Sequence, residues 1–471
     1  MTKRVKYSLA ILVATILISV AGLEILSHAA AKIFNEAMLK QDMLKGTITV
    51  EKIQANIFGE VTFNNLLWEH ERGGTILEIP EGGFKVKILD IVTKNFQSTT
   101  IKDLYIKGAA VSLHLDENMN VDFIRHSKDF KEVNDNMKKD SDSWEEKISR
   151  VNKTEEELKE IGERRRRIQQ LKIENGWKNF NAEGRKIDLN LKLEDCQFEI
   201  FYGERHYLMR GVHFETKVNT DKEMMLNAYT GTFGGTMIGR GLSIQGNIDF
   251  KSEKVPQCNL LVTLREIDPS SLGLGMNVHD KMTLMARFTG SVSKPVGKGK
   301  VEMAELHLPG IDFTNVEGKI HYEDSTLNFV DVTADVYDGK LDAHGDYNID
   351  TRYYNIYGHG SDLKAYTALP NAHLHCDVIL NIVIQSKGNA KETVTSGDFV
   401  SGEGRYSVVA FDKISGKFRN DSTGLNFYNV EIDIAGYKIE TDALSIKDGK
   451  LNFAPIKLTD ASGEVIRTYE Q

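Results

Sequence analysis

Residues Gly318 to Ile349 read GKIHYEDSTLNFVDVTADVYDGKLDAHGDYNI, and Gly416 to Ile439 read GKFRNDSTGLNFYNVEIDIAGYKI. The second stretch repeats the first: Gly318-Lys319 matches Gly416-Lys417, Leu327-Asn328-Phe329 matches Leu425-Asn426-Phe427, and Val332 falls on Val430. Gly449 to Phe453 is a fainter third echo. Within each copy apolar residues alternate, which places them on one face of a strand. Leu327 and Phe329 share one parity, and Val330, Val332, Ala334 and Val336 the other; the same slip recurs between Phe427 and Tyr428, ahead of Val430, Ile432 and Ile434. A phase change at a repeated place predicts a β-bulge or tight corner, so the unit reads as a bent strand or hairpin. Units that cannot bury an apolar face alone stack into elongated arrays.

The composition agrees. A chain of 471 residues with 41% hydrophobic content can form several ordinary domains or one long repeat structure. Glycine is frequent (39) and proline scarce (7), which suits a long sheet with Gly in its turns and no Pro in its interior strands. The net charge of -9 gives no basic footprint and argues against a nucleic-acid partner. Cys196, Cys258 and Cys376 are odd in number and contain no CxxC pair, so neither a zinc site nor a disulfide framework is indicated.

At the N-terminus, Lys3, Arg4 and Lys6 precede an uncharged run from Tyr7 to Leu23 whose apolar members are Leu9, Ile11, Leu12, Val13, Ile16, Leu17, Ile18, Val20 and Leu23. The run is long enough to cross a bilayer, and the flanking charge places the short end in the cytoplasm and the rest beyond it. The other reading is a cleaved signal peptide, for which Ala29-Ala30-Ala31 offers a small-residue site. Either way the bulk of the chain is expected outside the cytoplasm.

His28 to Lys45 carries helix formers and Gly46 a stop. From Thr47 the period changes to two, in TITV, FKVKIL (Phe84 to Leu89), IKDLYIKG (Ile101 to Gly108) and AAVSLHLDENMNVDFI (Ala109 to Ile124). Ser127 to Gly176 breaks that pattern with a highly charged segment in which Phe130, Val133, Met137, Trp144, Ile148, Val151, Leu158, Ile161 and Ile168 recur at helical steps or their sums. Its polar face holds Arg164, Arg165, Arg166 and Arg167, which would either touch acidic lipid headgroups or form a solvated helix face. From Lys186 strands resume, with Gly-rich turns such as YTGTFGGTMIGRGLSIQG (Tyr229 to Gly246).

Catalytic signatures are absent: there is no GxSxG, HExxH, GxxxxGK[ST] or strand-to-helix GxGxxG, and no cofactor motif. In AHLHCD (Ala372 to Asp377), His373, His375 and Asp377 would share one strand face, but no further ligand is placed by sequence to complete a metal site, and a polar strand face is the plainer reading. Asp331, Asp335, Asp338, Asp342 and Asp346, read as lying at strand ends, fit a solvated sheet face better than a carboxylate pair.

The order of these parts resembles the AsmA and TamB superfamily of bacterial envelope proteins. VTFNNLLWE (Val61 to Glu69), GFKVKIL (Gly83 to Leu89) and the Ile101 to Gly108 strand running into AAVSLHLDENMNVDFI look like the family's N-terminal module, with Asp116, Asn120 and Val121 in its acidic turn, Asn and apolar places. FTGSVSKPVGKGKVEM (Phe288 to Met303) is similar, with a one-residue variation, to a Gly-x5-Pro-x-x-x-Gly strand pair of TamB-like repeats. The resemblance implies a long, strongly curved sheet with an apolar inner groove, a place in the inner membrane, and a part in moving phospholipid between inner and outer membranes. It also implies, for TamB-like members, assistance to outer-membrane protein assembly and hence an outer-membrane or periplasmic partner.

The expected fold is therefore mainly β: an elongated, strongly curved repeat sheet with an N-terminal transmembrane helix and an inserted charged helical segment. Its divisions are a cytoplasmic tip (1–6), an anchor (7–26), a helical extension (27–46), a strand module (47–126), the charged segment (127–176) and a β-groove region (177–471). Phospholipid acyl chains are expected along Val330, Val332, Ala334 and Val336 and along Val430, Ile432 and Ile434. An inner face filled by its own side chains, making the protein a non-enzymatic scaffold, is the alternative.

Overall fold

The computed structural model describes residues 30–32, 34–36, 38–39 and 44–470, except 57, 72, 88, 90–98, 116–120, 122, 124–152, 183, 185, 203–204, 235–238, 252–254, 277, 309–310, 371–372, 388–391 and 448–449. The expected tip, the anchor with Leu9 to Leu23, the places of Asp116 and Asn120, and the charged segment before Lys153 lie outside the described residues. Among the described residues no helix is long and apolar enough to cross a membrane.

The chain is mainly β and divides into two units, one of residues 1–152, 165–262 and 289–293, the other of 153–164, 263–288 and 294–471. In the first unit run β1 (Thr47–Ala55), β2 (Glu60–Glu69), β3 (Thr75–Val86), β4 (Ile101–Lys107), β5 (Ala110–Leu115), β6 (Asp188–Tyr202), β7 (Arg205–Asn219), β8 (Glu223–Tyr229), β9 (Thr232–Phe233) and β10 (Gly241–Asp249). β1, β2 and β3 form an antiparallel meander, and β3 pairs with both β4 and β5. β6 then joins β4 and β5 in parallel, and β7, β8 and β10 follow antiparallel.

That parallel step revises the division expected at residue 176. A parallel pair needs a crossover of a dozen or more residues, and the stretch between β5 and β6, which includes the charged helix, is that crossover. β6 to β10 consequently share a sheet with the N-terminal strands. Ala31, Val50, Phe63, Ile79, Ala109, Cys196 and Val212 form its buried core. On the side of β1 away from β2, the Asn35 side-chain amide donates to the Val50 carbonyl (3.0 Å) while its oxygen accepts from the Val50 N–H (2.8 Å). One side chain thus satisfies both backbone groups of a strand residue.

β11 (Gln257–Ile267) and β12 (Met282–Ser291) have residues in both units. The second unit continues with β13 (Lys294–Leu308), β14 (Ile311–Glu323), β15 (Thr326–Val336), β16 (Gly339–Asn348), β17 (Tyr353–Lys364), β18 (Leu374–His375), β19 (Asp377–Lys387), β20 (Val394–Ser401), β21 (Gly404–Tyr406) and β22 (Val409–Phe411). It ends with β23 (Lys413–Asp421), β24 (Gly424–Ile434), β25 (Tyr437–Lys447), β26 (Lys450–Phe453), β27 (Ile456–Thr459) and β28 (Val465–Tyr469). The two sequence copies are the hairpins β14–β15–β16 and β23–β24–β25, each antiparallel to its neighbours. β18, β21 and β22 form a separate three-stranded sheet that the sequence does not announce.

The helix α1 spans Glu155–Ala182. It starts there because Thr154 and Glu157 form a reciprocal cap: the Glu157 N–H donates to Thr154 Oγ1 (3.3 Å) and the Thr154 N–H to Glu157 Oε2 (2.8 Å). Glu155, Glu156 and Glu157 in the first turn favour the same end through the helix dipole. The helix does not stop at Gly176, as the sequence reading has it. Trp177 stacks on Phe180 and on Phe250 (centroids 5.5 and 5.2 Å), and this packing carries the helix through a residue of poor helix propensity. A Cβ at Gly176 would meet nothing within 4 Å. Gly176→Ala should therefore raise stability by about 0.5–1 kcal/mol, read as a higher urea midpoint at unchanged slope; a lower midpoint would contradict this account.

Candidate functional site

Register, rather than any single motif, organises the second unit. Across β15 to β25 the residues Val332, Ala343, Gly358, Ile382, Gly397, Phe418, Phe427 and Leu444 are successive cross-strand partners. This row contains no charged side chain. The alternate residues are polar and form ladders of their own, such as Thr333, Asp342, His359, Asn381, Asp398 and Lys417. His359 Nδ1 lies 2.8 Å from Asn381 Oδ1, and Asn381 Nδ2 donates to Asp398 (2.8 Å). The sheet has one apolar and one polar face.

Keeping the two faces apart requires bulges. In β15, Val330 and Asp331 together oppose His344 of β16, and Asp331 has φ 51°. The matching residue in the second copy is Asn429 (φ 49°), with Asn429 and Val430 opposing Gly416. Asp195 in β6, Asn315 in β14 and Asp362 in β17 repeat the device where their registers slip. Asn and Asp tolerate the left-handed region better than other side chains, and the extra residue turns the strand by one place.

This changes the placement of the residues expected along the groove. Val330 pairs with Lys319 on the polar face and is 43% exposed, because the bulge separates it from Val332. Phe329 and Leu327, read as the opposite parity, instead share the apolar face with Val332, Ala334 and Val336. Ala334 and Val336 are buried with Met303, Phe313, Val316 and Leu363, and Val332 packs against that cluster half-buried. In the second copy Val430 is half-buried, while Ile432 and Ile434 pack against buried Ala365, Cys376 and Phe411.

Several of the polar residues are paired. Asp331, Asp335, Asp342 and Asp346 lie inside strands rather than at strand ends, with only Asp338 in a turn. Lys319 reaches Asp331 (2.7 Å), and Lys340 and Asn315 hold Asp335 below the usual carboxylate range. Asp377 takes Lys364 (2.7 Å), and His375 stacks on Tyr366 (5.7 Å). Among the described residues no three His, Cys, Asp or Glu side chains are placed to hold a metal ion. Arg164 and Arg167 are exposed and Arg165 and Arg166 half-buried in α1; Arg164, Arg165 and Arg166 each already hold an interaction.

A groove crosses the strands in each unit. The groove of the first unit, about 1310 Å³, runs over Val61, Phe84, Leu104, Leu191, Thr216, Leu226 and Gly246, which are successive cross-strand partners. From each of these strands it takes that residue and its two flanking neighbours, as in Asp103-Leu104-Tyr105 and Asn190-Leu191-Lys192. The next apolar residues along the strands, such as Phe63, Ile106, Leu193 and Phe214, do not line it. The groove therefore opens on the polar face, between two cross-strand rows of side chains. The groove of the second unit, about 930 Å³, runs over Val332, Ala343, Gly358, Ile382 and Gly397 between polar neighbours such as Thr333, Asp342, His359, Asn381 and Asp398, and widens over β15 and β16 to Phe329 and Gly345. In the first unit the Tyr105 hydroxyl donates to Glu194 (3.1 Å), and burial together with that acceptor raises its pKa.

The apolar face is crowded. A Cβ at Gly358 would lie 2.8 Å from Ile382 Cγ2 and 3.2 Å from Leu341 Cδ1, and one at Gly397 2.9 Å from Phe418 Cε1. Side chains of neighbouring strands crowd these half-buried glycines, and at Gly397 the Asn381 carbonyl closes in as well. No family model, curated protein or solved structure matches the chain. Gly358→Val should destabilise the protein by about 1–3 kcal/mol through overpacking, whereas Gly402→Ala, where a Cβ meets nothing within 4 Å, should stay within about 0.5 kcal/mol. Equal urea midpoints for the two variants would refute the crowding argument.

Proposed function

We propose that the protein is a non-enzymatic lipid-handling protein whose apolar sheet face holds phospholipid acyl chains. The observation that carries this reading is the uncharged cross-strand row from Val332 to Leu444, spanning roughly 34 Å at ~4.8 Å per strand step. Phe329, Ile356, Ile384, Phe399, Phe418 and Phe427 on this face are half-buried, leaving apolar surface that a hydrocarbon chain would remove from water. Each buried methylene gains about 0.8 kcal/mol, and a charge in the path would be costly. The resemblance to AsmA and TamB-like proteins supports the same reading. It adds an elongated curved sheet, an inner-membrane anchor over residues 7–26, the bulk of the chain in the periplasm, and lipid transport toward the outer membrane.

A second reading, an envelope scaffold that assists outer-membrane protein assembly, is favoured by the cluster around Met303, Phe313, Val316, Ala334, Val336 and Leu363, where the face is filled by its own side chains. The two readings separate at half-buried positions. A photo-crosslinking residue at Val332 or Ile356 should capture phospholipid in cells, and one at exposed Asp342 should not. Ile356→Asp should abolish function while the protein accumulates and keeps its strand circular dichroism. Crosslinks from Val332 and Ile356 to protein alone, with no lipid in purified material, would establish the scaffold instead.

A further inference from the structure

The three-stranded sheet of β18, β21 and β22 stands apart in its chemistry. Its hairpin turns at Ser407-Val408, with Tyr406 paired to Val409. Ser407 has φ 52°, a conformation that suits glycine, and the turn offers a valine where Asn, Asp or Gly is usual. Val408 is 93% exposed, Tyr406 59% and Val409 49%. The helix α2 (Ala365–Ala368) adds to this apolar surface: Tyr366 (45%) stacks on His375 of β18, which pairs with Arg405 of β21, and Leu369 (51%) follows it. The tip is held in place, since the Ser407 N–H donates to the His373 carbonyl (3.0 Å).

The inner side of the same small sheet is greasy too, and fully covered. Phe411 and Cys376 are buried with Ala365, and against them pack Val378, Ile414, Ile432 and Ile434. Ile414 and Ile432 are cross-strand partners on the apolar face of β23 and β24. Apolar side chains therefore run from the solvent-exposed Val408 and Val409, through buried Phe411, to Ile414 and Ile432 at the end of the face assigned above to acyl chains.

The geometry points to the β21–β22 hairpin as a bilayer contact: its tip, Tyr406 to Val409, inserts into the headgroup region of a phospholipid surface and brings the end of the apolar face to its source of acyl chains. The occupant follows from the continuity, because only a lipid surface supplies both a place for an exposed valine and the cargo that the adjoining face holds. An aromatic beside aliphatic side chains suits the interface, where a ring can lie partly in hydrocarbon with its hydroxyl in water. The choice of a lipid occupant for the tip and the hand-over both rest on the lipid reading above, and the two labels below separate the contact from that reading.

The test uses the full chain reconstituted with phosphatidylethanolamine–phosphatidylglycerol vesicles. The native cysteines Cys196, Cys258 and Cys376 are buried, so Val408→Cys can be labelled with an environment-sensitive fluorophore, and Glu317→Cys on the exposed polar face of β14 serves as reference. The label at 408 should shift to the blue and be quenched by spin-labelled lipid, and the label at 317 should do neither. Val408→Ser with Val409→Ser should keep the fold by circular dichroism and lose phospholipid capture at Val332. A label at 408 that stays in water, or one shielded without lipid quenching because a protein covers it, overturns the bilayer contact. If Val332 still captures lipid in that case, the lipid reading of the apolar face survives. Quenching at 408 with no lipid at Val332 upholds the contact and removes the hand-over.

Discussion

An Asn or Asp with φ near +50° in the middle of a strand lets this sheet keep two unlike faces. A strand has a side-chain period of two, so any slip in its alternation would carry charged residues onto the apolar side for the rest of its length. The bulges at Asp195, Asn315, Asp331, Asp362 and Asn429 absorb the slip within one residue. The uncharged row, the paired carboxylates opposite it and the grooves between polar ladders all presuppose that correction. Each bulge spends some backbone strain locally, and Asx residues keep that cost small.

The polar face owes its character to pairing rather than to isolated charge. Lys319 with Asp331, Lys340 with Asp335 and Lys364 with Asp377 bridge positions on adjacent strands or turns, and exposed pairs of this kind contribute little stability individually. Their effect is on register: a strand displaced by one place would set Lys319 against Phe329, Lys340 against Val336 or Lys364 against Val378. Hydrophobic contact on one side and charge pairing on the other specify the same alignment.

The repeat, the strand content and the charged helix were legible because each rests on local periodicity. The slip after Phe329 and after Phe427 was legible as well, but parity alone sent Val330 to the wrong face. The signal that would have placed it is the Asx two residues after each slip, Asp331 and Asn429. The reciprocal Thr154–Glu157 cap was also readable as a T-x-x-E start, whereas Gly176 misled because Trp177 and Phe250 meet only in the folded chain. The parallel entry of β6 beside β4 and β5, and the short strands β18, β21 and β22, depend on contacts distant in sequence. The grooves escaped the sequence for another reason: their floors are backbone, and no side-chain pattern marks them.

Asn35 bears on colloidal behaviour. An open strand edge is a template on which another chain can grow, the first step toward fibres and disordered aggregates. At Val50 that template is already occupied by a side chain which mimics a passing strand, one donor and one acceptor in the right places. An incoming chain would have to displace both bonds before forming its own. The amide works as a stopper on that stretch of the β1 edge.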